Sequence, residues 1–179
     1  MRNAEQGFNL VELLIVVTIL GVAAVVAIPD ISTSNPAKLD LAAEEIAQAI
    51  RFARSEAIRK AEPRGFIQQA TEKRIRVYRP DTSASPWSLS YDVYHPVSKQ
   101  KYDIDFNASP FARVDTVAYA ETYFGTCIAT GSIYFDAKGI AHCIHPNTVL
   151  LNKFAVTLKL GNHARIVSLN GITGRVVVQ

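Results

Sequence analysis

The stretch that decides the reading is Gly7-Phe8-Asn9-Leu10-Val11-Glu12-Leu13-Leu14-Ile15-Val16-Val17-Thr18-Ile19-Leu20-Gly21-Val22-Ala23-Ala24-Val25-Val26-Ala27-Ile28-Pro29-Asp30. From 10 to 28 the run is apolar, interrupted only by Glu12, Thr18 and Gly21. Those ~19 residues make a helix of roughly 29 Å, long enough for a bilayer core. A carboxylate at the start of such a helix costs several kcal/mol unless it is paired or sits near the interface. Pro29 falls where the apolar run meets the polar one, and a proline there kinks or interrupts the helix. An ordinary signal anchor, or a signal peptide cut near Ala27, would account for the apolar run. Neither accounts for the short polar leader ending in Gly7, the acid Glu12 and the placed proline together.

A chain that begins at Phe8 resolves the problem of Glu12. The new α-amino group then lies a few residues away, on the same chain or a neighbour, and is an obvious partner for the carboxylate. The segment 7–17 resembles the prepilin cleavage and methylation motif of type IV pilins and type II secretion pseudopilins, with Asn9 where threonine or serine is more usual. The resemblance implies cleavage after Gly7 by an inner-membrane prepilin peptidase and N-methylation of Phe8. It also implies that Glu12 pairs with a neighbouring subunit's N-terminus during assembly.

Downstream of the Ser/Asn/Pro-rich break at 30–36, the segment 38–60 has helical periodicity. Leu39, Ala42, Ala43, Ile46, Ala49, Ile50, Ala53 and Ala57 form an apolar stripe, charged residues fill the other faces, and Glu62-Pro63 ends it. Arg54 and Glu56 read as a solvated face with local ion pairing. The pattern Leu41-Ala42, Ile46-Ala47-Gln48-Ala49, Ala53-Arg54-Ser55-Glu56-Ala57-Ile58 resembles the GspH/FimT family of pseudopilins and minor pilins.

The remainder reads as strands: a hairpin of 65–70 and 74–79, alternating segments at 91–94 and 102–106, and a strand at 132–136. A pair at 154–160 and 165–169 and a last strand at 175–178 follow. Helix first and strands afterwards predict an α+β, pilin-like chain. Its long N-terminal helix, half membrane-spanning and half amphipathic, packs on a C-terminal antiparallel β-sheet domain. The expected divisions are a leader 1–7, a transmembrane and filament-core helix 8–29 and a periplasmic domain 30–179. Residues 80–130 resemble nothing familiar.

Composition sets the outer bounds. The chain has 179 residues, 49% hydrophobic and 20% charged, with net charge +3 and pI about 8.9. That balance is only mildly basic and does not by itself specify a nucleic-acid partner. Cys127 and Cys143 lie in the soluble part, and outside the cytoplasm a disulfide is the default. His142 and His145 flank Cys143, but the spacing matches no zinc pattern, and no metal or cofactor is expected. No Walker A loop, dinucleotide fingerprint, His-Glu-x-x-His or G-x-S-x-G is present, so no enzyme is expected. Asp103 and Asp105 read as a solvated strand face.

Nucleic acid is the sharper alternative. Arg74 and Arg76 share one strand face with Tyr78, an arrangement able to hold phosphates and stack a base. FimT-like minor pilins of transformable bacteria bind DNA through an arginine-bearing tail. Here only Gly174-Arg175 matches that pattern, and Val177 stands where a second arginine is expected. The leading expectation is therefore a minor pilin or pseudopilin of the bacterial inner membrane, later built into a type IV pilus or secretion pseudopilus. Its expected partners are other pilins, the prepilin peptidase, the inner-membrane assembly platform and membrane lipid. A DNA-binding minor pilin using Arg74, Arg76 or Arg175, or a major fibre-forming pilin, is the alternative.

Overall fold

The computed structural model describes residues 10–27, 35–83, 87–144 and 149–179. The sequence-predicted residues Gly7, Phe8 and Pro29, and His145, lie outside them. The chain divides into two units, Met1–Ser34 and Asn35–Gln179.

In the first unit, α1 (Leu10–Ala27) is a single helix with Glu12 in its first turn. Its large apolar side chains from Leu10 to Leu20 are all exposed, from 45% at Val16 to 77% at Leu10. The one polar side chain in its middle, Thr18, donates back to the Ile15 carbonyl at 2.8 Å, which satisfies it within the helix. Among the described residues no helix is long and apolar enough to cross a membrane; the 18 residues of α1 span about 27 Å.

The second unit is built on α2 (Asn35–Lys60). It begins three residues before the predicted start at 38, because Pro36 fits the first turn, where its missing N–H is not needed. The predicted stripe faces inward: Leu39, Ala42, Ala43, Ile46, Ala49, Ile50, Ala53 and Ala57 are all fully buried. The helix ends in a Schellman arrangement, with Ala61 N donating to Ile58 O and Glu62 N to Ala57 O. Ala61 takes the left-handed conformation there, at φ 52°.

Two antiparallel sheets receive the helix. The first contains β1 (Arg64–Gln69), β2 (Arg74–Asp81), β3 (Ser88–Ser90), β4 (Asp103–Asp105), β6 (Ser132–Phe135) and β7 (Ala141–Cys143). Its order is β3-β2-β1-β6-β7, and β4 pairs with another part of β2. The second has the order β10-β9-β8-β5, from β5 (Asp115–Tyr123), β8 (Leu151–Leu160), β9 (His163–Asn170) and β10 (Val176–Val178). Phe66 of β1 meets Phe154 of β8 edge-on, ring centres 5.6 Å apart, so one core joins both sheets.

The predicted hairpin at 65–79 and the pairing of 154–160 with 165–169 are present. The expected antiparallel β-sheet domain is built as two sheets, and β3, β5 and β7 were not anticipated. Segment 91–94 forms no strand; Tyr94 makes only an isolated bridge to Lys101.

Candidate functional site

Three clusters of candidate side chains can be built from this frame. The first is the arginine face of β2. Period-two alternation sends Ile75 and Val77 to the core and Arg74, Arg76 and Tyr78 to the other face. Beside β2 runs β4, with Asp105 opposite Arg74 and Asp103 opposite Arg76. Arg74 forks between Asp103 at 2.7 Å and Asp105 at 2.8 Å. Arg76 reaches Asp103 and Glu72, both at 3.1 Å, donates to Gln69 at 2.7 Å, and lies 5.1 Å from the centre of the Tyr91 ring. The carboxylates therefore read as a solvated strand face are the cross-strand partners of both arginines. Tyr78 is fully buried: its ring lies over Gly65, where any Cβ would collide with it. Its hydroxyl contacts Ser132 Oγ at 2.9 Å and donates to the Ile133 carbonyl at 3.0 Å. Burial pushes the phenol far above its ordinary range, and it has no face left for a base.

The second cluster surrounds Arg175. Across the outer face of the second sheet Thr122 pairs with Lys153, Lys153 with Asn170, and Asn170 N bonds Arg175 O at 2.9 Å. With Asn152, Ser168 and Thr173 these residues border a cavity of about 530 Å³ that no carboxylate lines. Elsewhere in the domain Arg51 pairs with Glu44, Arg59 with Glu56, Arg79 with Asp92 and Arg165 with Asp40, while Arg113 is exposed and, like Arg175, has no ion pair among the described residues.

The third is Arg54, which the sequence placed on a solvated face. It is half-buried, and its Nε donates to the Gly139 carbonyl at 3.0 Å. Its position next to the buried Ala53 in the helical stripe is the signal that could have shown this. Glu56 does pair with Arg59, at 2.7 Å, and that hydrogen bond holds its carboxyl below the ordinary range.

Cys127 and Cys143 form a disulfide with Cα atoms 6.3 Å apart. Both thiols are consumed, and among the described residues no group of three His, Cys, Asp or Glu is placed to hold a metal. His142 instead contacts Asp136 at 3.2 Å and stacks on Tyr134.

Among the described residues no cluster has the layout of an active site. What the geometry offers is an exposed apolar helix, a sheet domain and surfaces. Residues 42–173, well over half of the chain, match the family described as Type II transport protein GspH. The chain belongs to the GspH family. Residues 2–28 match the prokaryotic N-terminal methylation motif, which spans Gly7, Phe8 and Glu12. The fold is similar to that of the minor pseudopilin EpsH from the type 2 secretion system of Vibrio cholerae. There the TM-score is 0.51 at 10% identity, covering 79% of this chain and 96% of that one. The type IV minor pilin FimU of Pseudomonas aeruginosa is also similar, with TM-score 0.48 and 17% identity over 80% and 90% of the two chains. No curated protein matches. This GspH-family chain is a minor pilin or pseudopilin, a structural subunit rather than an enzyme, of a family anchored in the inner membrane and assembled with other pilins.

Proposed function

We propose that the chain is made as a prepilin and held in the bacterial inner membrane by residues 8–29, with 30–179 in the periplasm. Prepilin peptidase cuts after Gly7 and Phe8 is methylated. The assembly platform then inserts the subunit under a growing filament, where Glu12 pairs with the N-terminus of a neighbour and Pro29 bends the helix.

The observation that carries this reading is α1. Apart from Glu12 and Thr18, its described side chains are apolar, and the large ones from Leu10 to Leu20 are all exposed. Such a helix needs lipid before assembly and neighbouring helices after it. The 10–28 run supplies the length, about 29 Å, and Glu12 stands in its first turn. An acid there is tolerable when an amine neutralises it. The test is Glu12→Ala: membrane fractions should keep the protein while sheared filaments lose it. Unchanged recovery in filaments would remove Glu12 from the mechanism. Peptide mass spectrometry should find methylated Phe8 as the first residue, and a chain starting at Ile28 would refute the processing step.

A second reading, DNA binding, gains support only at Arg175. Arg74 and Arg76 already hold carboxylates, whereas Arg175 and Lys153 border a cavity without acids. Lys153 then supplies the second cation missing at Val177. Binding of duplex DNA by residues 35–179 should fall steeply with salt, and further in Arg175→Glu and Lys153→Glu. No binding at low salt would leave assembly as the whole function.

A further inference from the structure

The chain has eight asparagines, and only Asn107 is followed two residues later by a hydroxyl, in Asn107-Ala108-Ser109. Asparagine, any residue but proline, then serine or threonine is the acceptor pattern for N-linked glycan transfer, and it belongs on a surface loop outside the cytoplasm.

The fold puts this segment on such a loop. β4 ends at Asp105, and the chain turns away from the sheet through residues 106–113. The turn is fastened at both ends. Phe106 is buried, its N bonds Lys73 O at 3.0 Å, and its ring meets Phe111 with centres 5.8 Å apart. Val114 N bonds Phe111 O at 2.9 Å. Between these anchors residues 107–110 are all exposed. Asp105 Oδ1 accepts the Asn107 backbone N–H at 2.8 Å and Asn107 Nδ2 at 3.0 Å, and Nδ2 also donates to the Glu72 carbonyl at 3.0 Å. These bonds lie in solvent, where water replaces them at little cost. An Asx turn by itself accounts for Asn107 but asks nothing of position 109. The Ser109 hydroxyl is exposed and has no hydrogen-bond partner among the described residues. Asn170 shows the contrast. Its Oδ1 accepts from Ile172 N, Thr173 N and Thr173 Oγ1, and isoleucine stands two residues on.

We propose that Asn107 is a glycosylation site, whose Nδ2 takes an oligosaccharide from a polyprenyl-diphosphate carrier on the periplasmic side of the membrane. Nδ2 attacks the anomeric carbon of the first sugar. The N–C bond forms and the C–O bond to the diphosphate breaks. The carrier diphosphate leaves with the electron pair, and one amide proton passes to a base of the membrane transferase. The proposal rests on the reading that places 30–179 in the periplasm, and it adds a consequence for assembly. A bulky, hydrated glycan at 107 keeps this tip clear of neighbouring subunits. The turn 107–110 therefore faces solvent in the filament.

The test uses the full-length chain isolated from the cells that produce it. Trypsin, cutting after Lys101 and Arg113, releases 102–113, a peptide whose sole asparagine is Asn107. Electron-transfer fragmentation of that peptide should place a glycan mass on Asn107. Asn107→Gln and Ser109→Ala should each abolish the glycopeptide, whereas Ser109→Thr, which keeps the hydroxyl, should retain it. Ser109→Ala breaks no hydrogen bond within the described fold, and its melting curve should show a cooperatively folded protein. A glycan that survives Asn107→Gln, or that sits on Ser109, overturns the assignment. So does a chain that starts at methylated Phe8 yet carries Asn107 bare, and in that case the prepilin reading stands. A bare Asn107 on a chain that keeps its leader and stays out of the membrane overturns both.

Discussion

Gly174 lies directly against the guanidinium of Arg54, so that a Cβ built on the glycine would overlap Arg54 Cζ. Gly174 also sits at φ +68°, where a side chain is strained. The same guanidinium donates to Gly139 at 3.0 Å, and a Cβ on Gly139 would collide with Ile58. Three stretches far apart in sequence therefore meet at one arginine: the Ala53-Arg54-Ser55 pattern of α2, the turn after β6 and the turn before β10. Gly174→Ala should destabilise the domain by about 2 kcal/mol or more, from clash and backbone strain together. Arg54→Ala alone loses the carbonyl contact, and the double variant should be less destabilised than the sum of the two, since the clash is gone. Urea denaturation of the four proteins measures this, and strict additivity would show that the two residues do not press on each other.

What the sequence revealed and concealed follows from where each residue's partner lies. The α2 stripe was legible because its apolar residues recur at the helical period and all face one core. Strands β8 and β9 were legible because Phe154, Val156 and Leu158 alternate with polar residues, and Gly161-Asn162 marks the turn. Strand β5 inverts that pattern: Ala118 and Ala120 are exposed, while Tyr119, Glu121 and Tyr123 are partly buried. A period-two reading of hydrophobicity passes over such a strand. Among candidate residues, Glu12 stood out because a lone acid in an apolar run needs no fold to be noticed. Arg74 and Arg76 looked like a free basic face because Asp103 and Asp105, 27 to 31 residues away, become their neighbours only through sheet pairing.

The end of α2 gives a stabilising prediction. Ala61 occupies the left-handed position of the Schellman motif at φ 52°, is exposed, and is followed two residues later by Pro63. Glycine is the usual residue there because it has no Cβ to strain. Ala61→Gly should stabilise the domain by about 1 kcal/mol, read as a higher thermal midpoint. A lower midpoint would mean that the unfolded-state entropy of glycine outweighs the relief of strain.

The disulfide gives a redox prediction. Cys127 and Cys143 close a loop with a sequence separation of 16, and Cys143 is buried in β7. A loop of that length is worth about 3 kcal/mol through restriction of the unfolded chain. Reductant, or Cys127→Ser with Cys143→Ser, should lower stability by about that amount, with the ends of the loop, around 124–131, losing amide-exchange protection first. Equal stability with and without reductant would make the bond incidental to the fold.

Glu121 supplies the pH prediction. Its Oε2 accepts the Tyr123 hydroxyl at 2.9 Å and the Thr130 amide at 3.2 Å, while Oε1 is buried with no hydrogen-bond partner among the described residues. Burial raises its affinity for a proton, and the bonds from Tyr123, Thr130 and Gly131 only partly oppose this. A carboxyl whose folded pKa is raised stabilises the fold fully below its unfolded value. That contribution is lost as pH rises through the folded value, so the window opens just above the ordinary carboxylate range. Glu121→Gln keeps an acceptor for Tyr123 and Thr130 and removes the titration. The variant should therefore be relatively more stable than the parent at neutral pH, with the difference shrinking toward about pH 4. Asp136, Asp105 and Glu56 have lowered pKa values and cost stability as pH falls, but they are common to both proteins and cancel in the comparison. Melting curves of the pair from about pH 4 to about pH 8 decide the matter. A difference that does not vary with pH would mean that Glu121 carries the same charge in the folded and unfolded chains, and that its buried oxygen is hydrated.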